Sequence, residues 1–308
     1  MTKKAELIIV GGGPRGSSLF DAAREYCSTS KNVRLAGIVA DNPDLNVPGK
    51  GKRYTSYSQF DCYPAIIKAT AQSMEYPYYD SFVHREKSEL KEGEYSNFEK
   101  WLYNEALGRE LGDKRGLRLF FIMACFGQRW RWPIINLCNG WFFNTHPVAH
   151  GSIWDHDNPY RGTVPYETMH ANEVEQCDLI AHLIDNKFDC GTEATRVGPI
   201  DLCEYNGREM YYRRGQNSTV SKARNDDLQR VRFKEQGEFV YQMHLKNACA
   251  TRFLAQQLIT NKDLIQCILA GKSPSAKRMR DIFPKKKAFR TLKSRPKPRF
   301  DLSSIVPV

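Results

Sequence analysis

The chain has 308 residues, 41% of them hydrophobic and 12% aromatic, enough for one large domain with an appendage or for two small domains. No stretch of 18 or more apolar residues occurs, which excludes a membrane-spanning helix on sequence grounds. The formal net charge is +11, but from Lys272 onward twelve basic residues face only Asp281 and Asp301, so the basicity belongs to the tail and the rest is nearly neutral.

The opening MTKKAELIIVGGG holds an apolar run too short for a signal peptide, and it reads as a buried strand over Leu7 to Val10. It enters a loop, Gly11 to Ser18, after which Leu19, Ala22, Ala23 and Tyr26 recur at helical spacing. A second strand follows at Val33 to Ala40, closed by the turn residues Asp41-Asn42-Pro43-Asp44. Strand, helix and strand in this span make a βαβ unit. Gly11-x-Gly13-x-x-Gly16 fits the dinucleotide fingerprint, with Asp41 as a late ribose-binding acid. The same spacing equally serves a tight strand–helix turn that binds nothing, and both readings stand.

Residues 49 to 79, rich in Tyr, Ser, Gly and Pro, give no assignable element. Phe98 to Leu107 has an amphipathic helical pattern, and Leu117 to Phe126 is a continuous apolar run, the mark of a strand buried on both faces. Phe142-Phe143 opens a short strand expected to end at Asn144. A loop follows over Val148 to Gly162, then a short helix over Tyr166 to Asn172. Asp178 to Ile184 and Glu193 to Ile200 read as two strands joined by the turn Asp185 to Gly191. Asn206 to Glu235 is polar and predicts a loop. Phe239 to Leu269 carries one long helical pattern, stopped by Gly271. The fold class expected is α/β, a doubly wound, mostly parallel sheet, with a helical C-terminal extension. The expected divisions are 1–204 for the catalytic domain, 205–271 for loop and long helix, and 272–308 for a basic, proline-containing tail.

The candidate chemistry centres on Asn144-Thr145-His146-Pro147. It lies just past a buried strand, where open α/β sheets place their ligands. Two residues apart on an extended chain, Asn144 and His146 leave the same face. An amide and an imidazole so placed can grip one carbonyl oxygen and stabilise it as an oxyanion. The plainer alternative is a turn-capping Asn and a satisfied buried His.

The order of short motifs resembles that of the folate-dependent formyltransferases, which include glycinamide ribonucleotide, methionyl-tRNA and sugar-nucleotide enzymes. The family's Asn-x-His-Pro matches Asn144, His146 and Pro147. Its later His to Asp-x-Gly stretch matches His182 through Asp189 and Gly191, and its Tyr-Arg-Gly step matches Tyr160-Arg161-Gly162. Ala124-Cys125-Phe126 matches the strand entering the folate site, Gly16-Ser17-Ser18-Leu19 the first loop, and Asn42-Pro43-Asp44 echoes the second-strand ending. The likeness spans about residues 5 to 200. It implies formyl transfer from 10-formyltetrahydrofolate to a primary amine in one-carbon metabolism, with glycinamide ribonucleotide of purine biosynthesis as the leading acceptor. It implies Asn144 and His146 on the formyl oxygen, and Asp189 keeping His146 protonated and passing the proton of the attacking amine. The donor would lie against Phe126, Gly127, Gln128, Arg129 and Asp185, and the acceptor against Gly16, Ser17, Ser18 and His182.

Three departures bear on the acceptor. The Ser-Leu-Leu-Pro usual after His-Pro is replaced by Val148 to Trp154, Pro14-Arg15 lengthens the first loop, and residues 49 to 115 match poorly. His146, His150, Asp155, His156 and Asp157 have zinc or iron ligand chemistry but no recognised ligand spacing, so no metal is expected. Nine scattered cysteines without a C-x-x-C pair fit reduced thiols and a cytoplasmic location. The partner expected is a small-molecule amine. The tail could bind nucleic acid, but a solvated tail, or one that folds back over the main domain, is favoured. Alternatives to transfer are hydrolysis of the formyl donor, nicotinamide-dependent oxidoreduction, or binding without catalysis.

Overall fold

A computed structural model describes residues 4–40, 62–80, 118–124, 132–155, 157–161, 165–185, 191–204 and 227–284. The seven strands are β1 (Ala5–Gly11), β2 (Val33–Ala40), β3 (Tyr78–Asp80), β4 (Leu119–Ala124), β5 (Phe142–Ala149), β6 (Gln176–Leu183) and β7 (Glu193–Asp201). They form one sheet in the order β3-β2-β1-β4-β5-β6-β7. The strands β3 to β5 along that order are parallel, and β6 and β7 close the edge antiparallel. The chain winds outward from β1 in one direction through β2 and β3, then returns through β4 in the other, so the topological switch lies between β1 and β4. This is the doubly wound, mostly parallel architecture expected from the sequence.

The helices are α1 (Gly13–Thr29), α2 (Cys62–Ser73), α3 (Trp132–Leu137), α4 (Pro165–Ala171), α5 (Asp227–Thr260), α6 (Lys262–Leu269) and α7 (Ala276–Ile282). One sheet face carries Leu7, Ile9, Phe120, Ile122 and Phe143 against α1, α2, α5 and α6. The other carries Ile8, Val10, Phe121 and Met123 against α3. The alternation of these names along β1 and β4 shows why the runs are apolar throughout: both faces are covered.

Several expectations are corrected. α1 begins at Gly13, with Pro14 in its first turn, so Gly16, Ser17 and Ser18 are helical rather than loop. The strand–helix turn can be this tight because Gly11 and Gly16 touch. A Cβ on Gly16 would stand 2.7 Å from the Gly11 carbonyl carbon. β5 does not end at Asn144 but runs to Ala149, buried at every position, because β6 pairs along its second half. Pro147 is accommodated because the last β4–β5 pair is Ala124↔Thr145, so its missing N–H deprives no β4 residue. The single long helix expected over Phe239 to Leu269 is two. Asn261 interrupts it and its side chain caps α6 by accepting from the Leu264 N–H at 2.9 Å. α5 already starts at Asp227, inside the loop expected over 206–235.

The C-terminal helices are no separate layer. α5 packs along α1, and Leu254, Leu258, Leu264, Ile268, Met279 and Ile282 share the hydrophobic cluster of the sheet. α7 thus folds the first part of the expected tail, and the divisions at 204 and 272 do not separate cores. The stretch 49–79, unassigned from sequence, contributes α2 and the edge strand β3. The helix expected at Phe98 to Leu107 and the tail from 285 lie outside the described residues.

Candidate active site

β5 carries Asn144 and His146 on one face of the sheet, and Asn144 is the direct cross-strand partner of His182 on β6. The three side chains are buried, at 6%, 5% and 0% exposure, in a row that continues through Ile180 to Asp178. The row starts where the parallel part of the sheet stops. Gly11 ends β1 opposite Ala124, Ala124 ends β4 opposite Thr145, and His146 stands one residue beyond. Such a carboxyl edge beside the switch point is where ligands bind in open α/β sheets.

Both imidazoles are set by carbonyls. His146 Nδ1 lies 2.8 Å from the Pro147 oxygen and His182 Nδ1 lies 2.8 Å from the Leu183 oxygen. A carbonyl only accepts, so Nδ1 carries the proton in each ring. Nε2 of His146 therefore becomes a donor only when the ring is charged.

Trp154 lies over the two rings, its centroid 5.3 Å from that of His146 and 4.7 Å from that of His182. The loop that delivers it is braced by the buried Asp178. One carboxylate oxygen meets His150 Nδ1 at 2.7 Å, and the other accepts from Gly151 N–H at 3.1 Å and Arg196 Nη1 at 2.9 Å. Arg196 also donates to the Ser152 carbonyl at 2.8 Å and to both oxygens of Glu193. Burial works against the charge of Arg196, but Glu193 and then Asp178 outweigh it and hold its pKa above the ordinary value. Asn158 closes the far end of the loop, donating to the Ile153 carbonyl at 2.7 Å.

On the opposite sheet face, behind Asn144 and His146, Thr145 meets Arg15 of α1, and Arg15 in turn meets Thr251 of α5. His244, two turns back along α5, stands edge-on to Tyr166 at 5.2 Å. Burial first and the Arg15 charge second hold its pKa well below 6.5. His170, also depressed by burial, acts in the same direction. Both are neutral in the fold while the unfolded chain takes up protons near pH 6.5. Their contribution to stability is thus intact above about pH 6.5 and is lost progressively as pH falls toward their folded pKa values. Urea unfolding between pH 7.5 and 5 should show this decline, and His244→Gln should flatten it; an unchanged slope in the variant rejects His244 as a source.

Not every residue expected at the site falls there. Gly16 packs on Gly11, and the Ser18 hydroxyl donates to the Ala248 carbonyl of α5 at 2.7 Å. Gly16 thus serves the close strand–helix approach, and Ser18 ties α1 to α5. Ser17 is half-buried within α1. Asp185 follows the end of β6, and Gly191, at φ +120°, lies so close to β6 that a Cβ there would run into the Leu183 carbonyl oxygen. Asp189, Phe126, Gly127, Gln128 and Arg129 lie outside the described residues. His150 is engaged by Asp178, and Asp155 accepts from the Asp157 N–H at 3.1 Å. Among the described residues no three His, Cys, Asp or Glu side chains are grouped to hold a metal. A cleft between α6 and α7, lined by Asp263, Cys267, Lys272 and Arg278, shares no residue with this site.

Sequence reasoning missed Arg15, Trp154, Asp178 and Arg196. Asp178 had a visible signal, as the one acid inside the apolar stretch from Cys177 to Ile184. Trp154 had none, since nothing local fixes where a loop aromatic packs.

No family model matches the chain, and no curated protein matches it. Among solved structures, phosphoribosylglycinamide formyltransferase from Bacillus halodurans is similar at 12% identity and a TM-score of 0.41, covering 77% of this chain and 94% of that one. Glycinamide ribonucleotide transformylase 1 from Symbiobacterium toebii is similar at 12% identity and 0.44, covering 83% and 89%. Formyltetrahydrofolate deformylase from Pseudomonas putida is similar at 14% identity and 0.41, covering 81% and 64%. Likeness this loose identifies neither a reaction nor a substrate.

Proposed function

We propose that the protein transfers a formyl group from 10-formyltetrahydrofolate to a primary amine. The observation that carries the reading is the pair Asn144 and His146, buried side by side on one sheet face at the carboxyl edge of the parallel strands. The Asn144 amide and the charged His146 ring supply two N–H donors to one carbonyl oxygen. Such a set holds the negative charge that the formyl oxygen acquires when the amine adds to its carbon. Collapse breaks the bond to N10 of the folate. The amine loses one proton and N10 gains one, so the balance is closed. His182, the cross-strand partner of Asn144, is assigned the acceptor contact through motif order. Asp189, between Asp185 and Gly191 in the sequence, is assigned the proton transfer through the motif order that Asn144, His146 and His182 share with the formyltransferases. The donor set suits the formyl oxygen because both groups donate and neither needs a metal.

The test is turnover of 10-formyltetrahydrofolate with glycinamide ribonucleotide, an amino-sugar nucleotide and charged tRNA, beside a reaction without amine. Formylated product with one acceptor is the expected result. Formate release without amine assigns a hydrolase instead. No turnover in any arm, with thermal protection by NADP and none by a folate analogue, replaces the reading with an oxidoreductase.

A further inference from the structure

The carbonyl directions along β5 are fixed by two bonds. Phe142 accepts from Ile184 N–H on the β6 side, and Trp141 accepts from Phe121 N–H on the β4 side. Alternation then turns the Thr145 carbonyl toward β4. β4 ends at Ala124, level with Thr145. Arg15 reaches this carbonyl from the first turn of α1: its Nη2 donates to the Thr145 oxygen at 2.6 Å and to Thr145 Oγ1 at 2.7 Å. Thr145 Oγ1 passes the connection on, donating to the Met123 carbonyl of β4 at 3.0 Å. Arg15 Nε donates to Thr251 Oγ1 at 3.2 Å, and that hydroxyl donates to the Asn247 carbonyl at 2.9 Å.

Electrostatically this is an expensive arrangement. Arg15 is 3% exposed and sits in the first turn of a 17-residue helix, where the helix dipole is already positive. Among the described residues its hydrogen-bond partners are neutral oxygens, with no carboxylate. A buried cation so placed is disfavoured relative to one in water. A neutral side chain would pack α1 against α5 without that cost. What the guanidinium alone supplies is a rigid plane in which Nη2 donates to both oxygens of the residue between Asn144 and His146 while Nε anchors it to α5.

We propose that Arg15 is a positioning residue of the site. By holding the Thr145–His146 peptide from the rear face of the sheet, it sets the spacing and aim of the Asn144 and His146 side chains on the front face. The inference rests on reading those two as the pair that grips the carbonyl oxygen. It also gives Arg15, within the stretch by which the sequence departs from the formyltransferase pattern, a task in this chain.

The experiment compares full-length Arg15→Met, Arg15→Lys and Thr251→Val with the parent, by steady-state kinetics with the acceptor found active and by 15N-imidazole NMR of His146. Arg15→Met should lower kcat about 100-fold, the scale of a misplacement near 1 Å, with KM for the formyl donor within about threefold. Its His146 signals should move. Arg15→Lys keeps the charge but loses the planar Nε–Nη2 pair that ties Thr145 to Thr251, and should recover only part of kcat. Thr251→Val, which loosens the anchor without touching the Thr145 grip, should stay within about fivefold of the parent. Should the Met variant not fold, the Lys variant decides, with a loss of at least about tenfold expected. A folded Met or Lys variant with parental kcat and unmoved His146 signals overturns the proposal. A parent that turns over no formyl donor refutes the functional reading instead, and the NMR comparison still decides whether Arg15 sets His146.

Discussion

Replacing Asn144 by alanine should lower kcat about 100- to 1,000-fold and leave KM for the formyl donor nearly unchanged. That is the usual loss when one donor to a developing oxyanion is removed. The split follows from geometry. The amide is 6% exposed, paired across the sheet with His182, and two residues from His146 on the same face, so it can serve the reacting oxygen without providing much binding surface. His146→Ala should cost at least as much, since it removes the donor that carries charge. The double variant should lose far less than the product of the two, because the groups act on one atom. Because His146 Nδ1 is committed to the Pro147 carbonyl, Nε2 is the ring nitrogen left to face the reacting oxygen. The measurement is initial rate against donor concentration for all three variants. An Asn144→Ala enzyme that keeps the parental kcat sinks the assignment.

The second large effect is on the fold. Asp178→Ala should destabilise the protein by about 3 kcal/mol, the lower end of what removing one partner of a buried ion pair costs. Asp178 is fully buried, and its loss takes one charged partner from Arg196 and releases His150 and the Gly151 N–H. The same change frees the loop that holds Trp154 over His146 and His182. Trp154 emission should therefore change at urea concentrations too low to unfold the sheet. Arg196→Ala should cost a comparable amount, and Asp178→Ala combined with Arg196→Ala should cost less than the sum. Urea denaturation of the three variants gives these numbers. A loss under about 1 kcal/mol for Asp178→Ala means that the network contributes little.

Much of the sheet was legible because its strands differ from their surroundings in composition. Leu7 to Val10 and the run that became β4 are apolar without alternation, which only a strand covered on both faces tolerates. β5 was harder. Asn144, Thr145, His146 and Pro147 read as the end of a strand because polar residues and a proline usually mark one, yet β6 continues the ladder on the side where Pro147 needs no N–H. The helical end failed for a similar reason. Periodicity runs smoothly through Thr260 and Lys262, and only the Asn261 cap, with its partner at Leu264, breaks one helix into two.

The site divided in the same way. That Asn144 and His146 share a face was readable from sequence, because residues two apart in one extended segment do so by covalent geometry alone. His182 was legible as part of a motif, but its place opposite Asn144 depends on the β5–β6 register. The sequence alone thus determined the buried strands and the shared face of Asn144 and His146, all properties of neighbours along the chain. Only the tertiary structure decided that Arg15 grips Thr145 from 130 residues away, that Asp178 and Arg196 brace a loop, and that Trp154 covers two imidazoles. Those contacts join segments whose separation in sequence carries no periodic signal, and they exist because burying charge and aromatic surface leaves each such group few places where its partners can be met.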